Sequence, residues 1–179
     1  MNLESILLSE NVIYSIYQNL DKLLQQIPEL KLIINFNHKH PHHHLDVFNH
    51  TLLSLFQSPK DLTIRLALLF HDIGKPICFK EENGIRHYPS HGKYSSKIAR
   101  QILIRLNYPF EYTDIICKLI EKHDEPITKE NIKENYDFCF ILYQIQYCDA
   151  LAHHPLKLDK RIKYLKETSN LLTNASLMR

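Results

Sequence analysis

His71-Asp72 closes the most apolar stretch of the chain, Leu62-Thr63-Ile64-Arg65-Leu66-Ala67-Leu68-Leu69-Phe70. A buried ionised Asp is costly unless it is paired or bound to a cation. An imidazole and a carboxylate at one helix end can both turn toward a single ion. Gly74 permits a sharp exit, and Lys75 places a cation where an anionic substrate would sit beside a metal. Alone, the dipeptide reads more readily as a helix cap than as a metal site. Other donors strengthen it. His50 stands earlier, in Asp46-Val47-Phe48-Asn49-His50-Thr51-Leu52. Asp149 stands later, in Gln146-Tyr147-Cys148-Asp149-Ala150-Leu151, where a lone carboxylate needs a partner to face. His87 and His91 flank a turn, and His123 ends the run Leu119-Ile120-Glu121-Lys122-His123.

These residues need rigid elements to bring them together, and periodicity supplies helices almost everywhere. One amphipathic helix is expected over about 3–24, with a break at Ser9-Glu10-Asn11. Further helices are expected over about 45–57, 62–72, 90–106, 112–123, 136–152 and 157–172, with a short one near 129–135. Asp61 is a natural N-cap for the second of these, and Gly74 and Pro76 should stop it. That helix is apolar on nearly all sides, so it should be central. Residues 77–89 read as irregular, with a turn at Glu82-Asn83-Gly84. The expectation is all-α, a single bundle of about six to seven helices spanning 1–179.

Composition agrees. The chain has 179 residues, 44% apolar and 23% charged, enough for a sizeable core. Only 3 glycines disfavour turn-rich β folds and Gly-rich phosphate loops, whereas 12 histidines draw attention to metal chemistry. A net charge of +2 does not argue for a nucleic-acid or membrane partner. No long apolar run and no signal-like N-terminus are present, so a cytoplasmic protein is expected. Cys78, Cys117, Cys139 and Cys148 show no metal-finger spacing and read as reduced thiols. The tract His38-Lys39-His40-Pro41-His42-His43-His44 reads as a solvated loop at a cavity mouth, with His42 the member placed to line the site. His153 and His154 are explained equally by substrate contact and by helix termination before Pro155.

The order His50, His71-Asp72, Asp149 resembles the H…HD…D signature of HD-domain phosphohydrolases, and His71-Asp72-Ile73-Gly74-Lys75 matches their HDIGK form. The likeness is closer to the HD domain attached to some bacterial CCA-adding tRNA nucleotidyltransferases. Asp46 to Thr51 is similar to their DVxxHT element, and His87 to Ala99, with His91 and Ser95, to their HxxxHxxxSxxxA element. The resemblance covers about 42–154. A paired-Asp strand motif of the nucleotidyltransferase head is lacking, so it implies a stand-alone hydrolase module and not CCA addition.

The resemblance implies a divalent metal held by His50, His71, Asp72 and Asp149. His91 and His123 would complete a second site, with Asp72 bridging. One-ion and two-ion readings both stay open. Imidazole and carboxylate donors suit Mn, Fe, Co, Ni or Zn better than Mg. Asp72, Lys75 and His87 are the expected catalytic residues, Lys75 on the phosphate and His87 donating a proton or orienting substrate. The implied substrate is a small phosphorylated compound, a nucleotide above all, with nucleic acid only as an RNA end. A dinucleoside polyphosphate hydrolysed at a two-ion centre and a non-catalytic domain with a structural metal are the competing readings.

Overall fold

A computed structural model describes residues 2–177 of the chain. Three short helices open it: α1 (Leu3–Leu7), α2 (Val12–Gln18) and α3 (Leu20–Gln26). The expected break at 8–11 is present, and a second break falls at Asn19, whose side chain turns back to the Ser15 carbonyl. A 3₁₀ turn, Pro28–Leu32, follows. Then come α4 (Val47–Phe56), α5 (Leu62–Phe70), α6 (Lys75–Cys78), α7 (His91–Arg105), α8 (Phe110–Lys122), α9 (Lys129–Glu134), α10 (Tyr136–Leu151) and α11 (Asp159–Ser176). A second 3₁₀ turn, Pro155–Lys157, joins the last two. The bundle rests on α4, α5, α7, α8, α10 and α11, each at least 9 residues long.

Local chemistry sets the helix starts. Asp46 caps α4 by accepting from the Asn49 N–H, and Asp61 caps α5 by accepting from Ile64. Thr128 and Asn131 form a reciprocal capping box on α9. The α5 helix is central, as its all-round apolarity requires: Leu66, Ala67, Leu68 and Phe70 are fully buried. It packs against α1, α4, α7, α8 and α10. One apolar cluster runs from Leu3 to Leu172, so the N-terminal helices share the core of the bundle.

Two expectations need correction. The stretch 77–89 is not irregular: Lys80–Glu82 (β1) and Ile85–His87 (β2) form an antiparallel hairpin. Asn83 and Gly84 supply the two positive φ angles that a tight hairpin turn needs. Gly74 and Pro76 do not merely stop α5. That helix ends at Phe70, and Gly74 caps α6, with Pro76 in its first turn. Gly74 has φ −83°, so freedom of backbone is not its use. A Cβ there would lie 2.6 Å from the Ser95 nitrogen, so close approach of α7 requires the glycine. Its N–H donates to Ser95 Oγ at 2.9 Å.

The four cysteines are unpaired. Among the described residues no helix is long and apolar enough to cross a membrane.

Candidate metal centre

The ends of α5 and α8 use the same local device. His71 is the C-cap residue of α5 and His123 that of α8. The last carbonyls of a helix lack intrahelical partners. His71 Nδ1–H donates to the Leu68 carbonyl at 2.7 Å, and His123 Nδ1–H donates to that of Ile120 at 2.7 Å. His91, at the start of α7, donates likewise to Tyr88 at 3.2 Å. His50, on α4, donates to Ala152 beyond α10, also at 3.2 Å. Each ring therefore turns its Nε2 lone pair inward.

Those lone pairs converge on Asp72, the residue after the α5 cap. Its Oδ2 lies 3.4 Å from His71 Nε2 and 3.7 Å from His50 Nε2. Asp149, from α10, completes that side, with Oδ1 2.8 Å from His50 Nε2 and 3.5 Å from His71 Nε2. Asp72 Oδ1 faces the other way, 3.3 Å from His91 Nε2 and 3.9 Å from His123 Nε2. His91 and His123 approach to 3.1 Å between their Nε2 atoms.

This centre holds an excess of acceptors. With the Nδ1 protons committed to carbonyls, the inward nitrogens and carboxylate oxygens have few donors to share. Asp72 is 1% exposed, and its Oδ1 has no hydrogen-bond partner. Burial opposes ionisation of Asp72, but the His71 and Lys75 charges hold its carboxyl well below the usual range. Burial likewise opposes a charge on His71, yet Asp72 and Asp149 push its pKa up to about 9. Burial draws His123 down to about 4. A divalent cation satisfies such a set without protons. Ligand atoms of His50, His71 and Asp72 lie within 4.8 Å of one another, as do those of Asp72, His91 and His123, and of His43, His50 and His153.

Lys75 is 5% exposed, and its ammonium donates to Asp72 Oδ2 at 2.7 Å and to His38 Nε2 at 3.2 Å. It thus braces the carboxylate at the centre's edge. His87 is not brought in: it is exposed at the end of β2, with its ring 5.9 Å from that of His40.

The His tract differs most from expectation. His38 is 1% exposed and donates from Nδ1 to the Leu45 carbonyl at 2.9 Å. Burial, and then the nearby Lys75 charge, lower its pKa to about 4 despite the opposing pull of Asp72. His43 stacks on it at 3.7 Å between rings and is also half-buried. Long-range bonds fold the tract inward: the Arg86 N–H donates to the Lys39 carbonyl, Tyr88 OH to that of His38, and the His154 N–H to that of His42. His42 lines the cavity mouth, as the sequence suggested. His153, placed by α10's end, stands 3.6 Å from Asp149 Oδ1.

Two further residues were missed. Asp124 Oδ2 lies 3.4 Å from His91 Nε2. Arg161 of α11 reaches both Asp124 Oδ1 (3.4 Å) and Asp149 Oδ2 (3.5 Å). The available signal was the repeated dipeptide: His123-Asp124 ends α8 as His71-Asp72 follows α5.

A helical bundle whose buried imidazoles and carboxylates converge with few donors among them defines the class: an all-α protein with a centre suited to divalent metal. The sequence model of the HD domain matches residues 42–167, and the chain belongs to the HD-domain family. A CC-adding tRNA nucleotidyltransferase of Thermus thermophilus is 33% identical over 111 residues, covering 58% of this chain and 25% of that protein. An A-adding tRNA nucleotidyltransferase of Deinococcus radiodurans is 35% identical over 88 residues, 45% of this chain and 20% of that protein. A multifunctional CCA protein of Shewanella denitrificans is 35% identical over 85 residues, with 46% and 20% covered. The chain thus spans a quarter or less of the length of these curated relatives.

Proposed function

We propose that this HD domain is a cytoplasmic, divalent-metal-dependent phosphohydrolase acting on nucleotides or RNA ends. The described residues are read as one domain, since the N-terminal helices share its core. The observation that carries the proposal is Asp72, buried between two groups of inward imidazoles with Oδ1 unpartnered. On this reading His50, His71, Asp72 and Asp149 hold one ion, and His91 and His123 share Asp72 to hold another.

A divalent ion held by these residues would supply Lewis acidity, polarising phosphoryl oxygens and lowering the pKa of water toward neutrality. The chain's own groups prepare the site. Carbonyls of Leu68, Ile120, Tyr88 and Ala152 hold the Nδ1 protons and fix the tautomers. Lys75 keeps Asp72 ionised and adds positive charge beside a phosphate. Arg161 bonds Asp149 through Oδ2 and leaves Oδ1 toward the imidazoles. His43 lines the cavity on one side, with the His38 ring stacked behind it. His87, exposed on the hairpin, is left no part in proton transfer.

Two of the relatives are tRNA nucleotidyltransferases, which supports nucleotides or RNA ends as the substrate class. The test is elemental analysis of protein prepared without chelator or metal-affinity resin, then a phosphate-release screen with Mn or Ni. Nucleotides, 2′,3′-cyclic nucleotides and bis(p-nitrophenyl) phosphate form the panel. His71→Ala with Asp72→Ala should cost at least ~100-fold in kcat/KM; undiminished activity would end the proposal.

A second reading, a dinucleoside-polyphosphate hydrolase, is favoured by one observation. His91, His123 and Asp72 Oδ1 form a separate donor group. Faster turnover of dinucleoside polyphosphates than of mononucleotides, with two ions per chain, would support it; no such preference would count against it.

A further inference from the structure

The histidines around the centre are of two kinds. His38, His50, His71, His91 and His123 each fix Nδ1 on a backbone carbonyl. His43 and His153 fix neither nitrogen. Both are half-buried, and His43 Nδ1 is buried without a partner. A buried polar atom left unpaired costs about 1–3 kcal/mol, so this pair favours an occupant.

The backbone brings the pair together. The His154 N–H donates to the His42 carbonyl at 2.8 Å and so ties the His tract to the end of α10. His43 and His153 then meet edge to face, with ring centres 4.7 Å apart. Both line the same cavity, about 180 Å³, as Asp72 and Asp149. His50 lies 4.9 Å from His43 and 5.5 Å from His153 between ring centres. One ligand atom from each of these three residues lies within 4.8 Å of the others.

His50 therefore belongs to this outer group and also to the buried group of His71 and Asp72. Asp149 borders both, with Oδ1 3.6 Å from His153 Nε2, 2.8 Å from His50 Nε2 and 3.5 Å from His71 Nε2. With His50 Nδ1 committed to the Ala152 carbonyl, only Nε2 is free to ligate. One nitrogen serves one ion, so an ion on the outer group competes with the buried ion for His50. Tethered rings suit a site that keeps its ion, and untethered rings suit one that releases it.

We infer that His43 and His153 form an entry station for the cation. The arriving ion sits first on these two rings and His50. It then moves inward as His71 and Asp72 replace His43 and His153, while His50 and Asp149 stay in reach throughout. Exchange of one ligand at a time spares the ion a bare passage through a buried channel. The inference rests on reading His50, His71, Asp72 and Asp149 as metal ligands, and it needs no hydrolysis.

The test is stopped-flow uptake of Co(II) by the full chain stripped of metal. Visible cobalt absorption gives the rate, and elemental analysis gives the final ions per chain. His43→Ala and His153→Ala are compared with the parent and with His44→Ala, an exposed histidine of the same tract. Circular dichroism checks each fold, and either variant carries the test should the other fail to fold. Each should slow loading roughly tenfold, with the final cobalt content equal to the parent's and His44→Ala as fast as the parent. Loading at the parent's rate in His43→Ala and His153→Ala would overturn the station alone. Equal slowing in His44→Ala would overturn it too, by reducing the effect to general attraction by the tract. Fewer ions at the end point would make the pair resident ligands, which also overturns it. A parent that takes up no cobalt would overturn the station together with the metal-centre reading.

Discussion

Gly92→Ala isolates the second donor group. Gly92 follows His91 on the face of α7 turned to α8. A Cβ there would sit 2.7 Å from the Glu121 carbonyl oxygen and 3.2 Å from that of Ile120. Both are backbone atoms of α8, so no side chain can swing aside. Ordinary contact begins at 3.4 Å, so the helices must part by up to about 0.7 Å. Overpacking of this kind costs about 1–3 kcal/mol. In a chain this long, 2 kcal/mol lowers Tm by roughly 4–8 °C. His91 moves with α7, whereas its Nε2 stands 3.1 Å from His123 Nε2 and 3.3 Å from Asp72 Oδ1. Metal–ligand distances tolerate only about 0.2 Å. The variant should therefore lose one ion and keep the other, because α4, α5 and α10 hold His50, His71 and Asp149 independently of α7. Elemental analysis after Mn loading, together with scanning fluorimetry, reads both effects. A variant that retains two ions per chain with its Tm unmoved would refute the reasoning.

Three further outcomes are expected. Arg65 is buried, and its guanidinium donates to the carbonyls of Leu7 and Ser9 and to Ser58 Oγ; Arg65→Met should cost about 2–3 kcal/mol, seen as a lower urea midpoint with unchanged slope. Lys75→Met removes the ammonium 2.7 Å from Asp72 Oδ2 and should weaken metal affinity or activity roughly 10–100-fold, so an unchanged kcat/KM would contradict the bracing role. In chelated protein, burial holds His38, His123 and His153 down to about 4, while the aspartates outweigh burial and raise His71 to about 9. Unfolded histidine titrates near 6.5. From pH 4 to about 6.5 the unfolded chain binds more protons, so stability rises with pH. The His71 contribution is full below about 6.5 and is lost as pH rises through 9. The urea midpoint should therefore peak near neutrality, and a midpoint climbing steadily to pH 9 would contradict the assignment.

Residue type and apolar context made His50, His71, Asp72 and Asp149 legible, because polar donors inside buried helices demand a partner. His91 and His123 were legible from their resemblance to known spacing and from helix ends. The α5 core and the Asp61 cap followed from periodicity and cap chemistry. The hairpin did not, since strands of three residues carry no readable alternation; Asn83-Gly84 was the signal. Burial of His38 and His43 was hidden because bonds from Tyr88, Arg86 and His154 impose it on a loop that looks solvated. Arg161 and Asp124 were hidden for a related reason: one is an ordinary charge on a charged helix, and the other a half-exposed carboxylate beside a cap.

The paired helix ends of α5 and α8 carry a consequence for ion choice. Because His71 and His123 are tethered to their own helices' free carbonyls, the donor cage is preassembled when the chain folds. Loading asks for proton release and little else, so cations can exchange without refolding. On the proposed reading such a cage would discriminate poorly among divalent transition ions, and the ion it held would follow the supply around it.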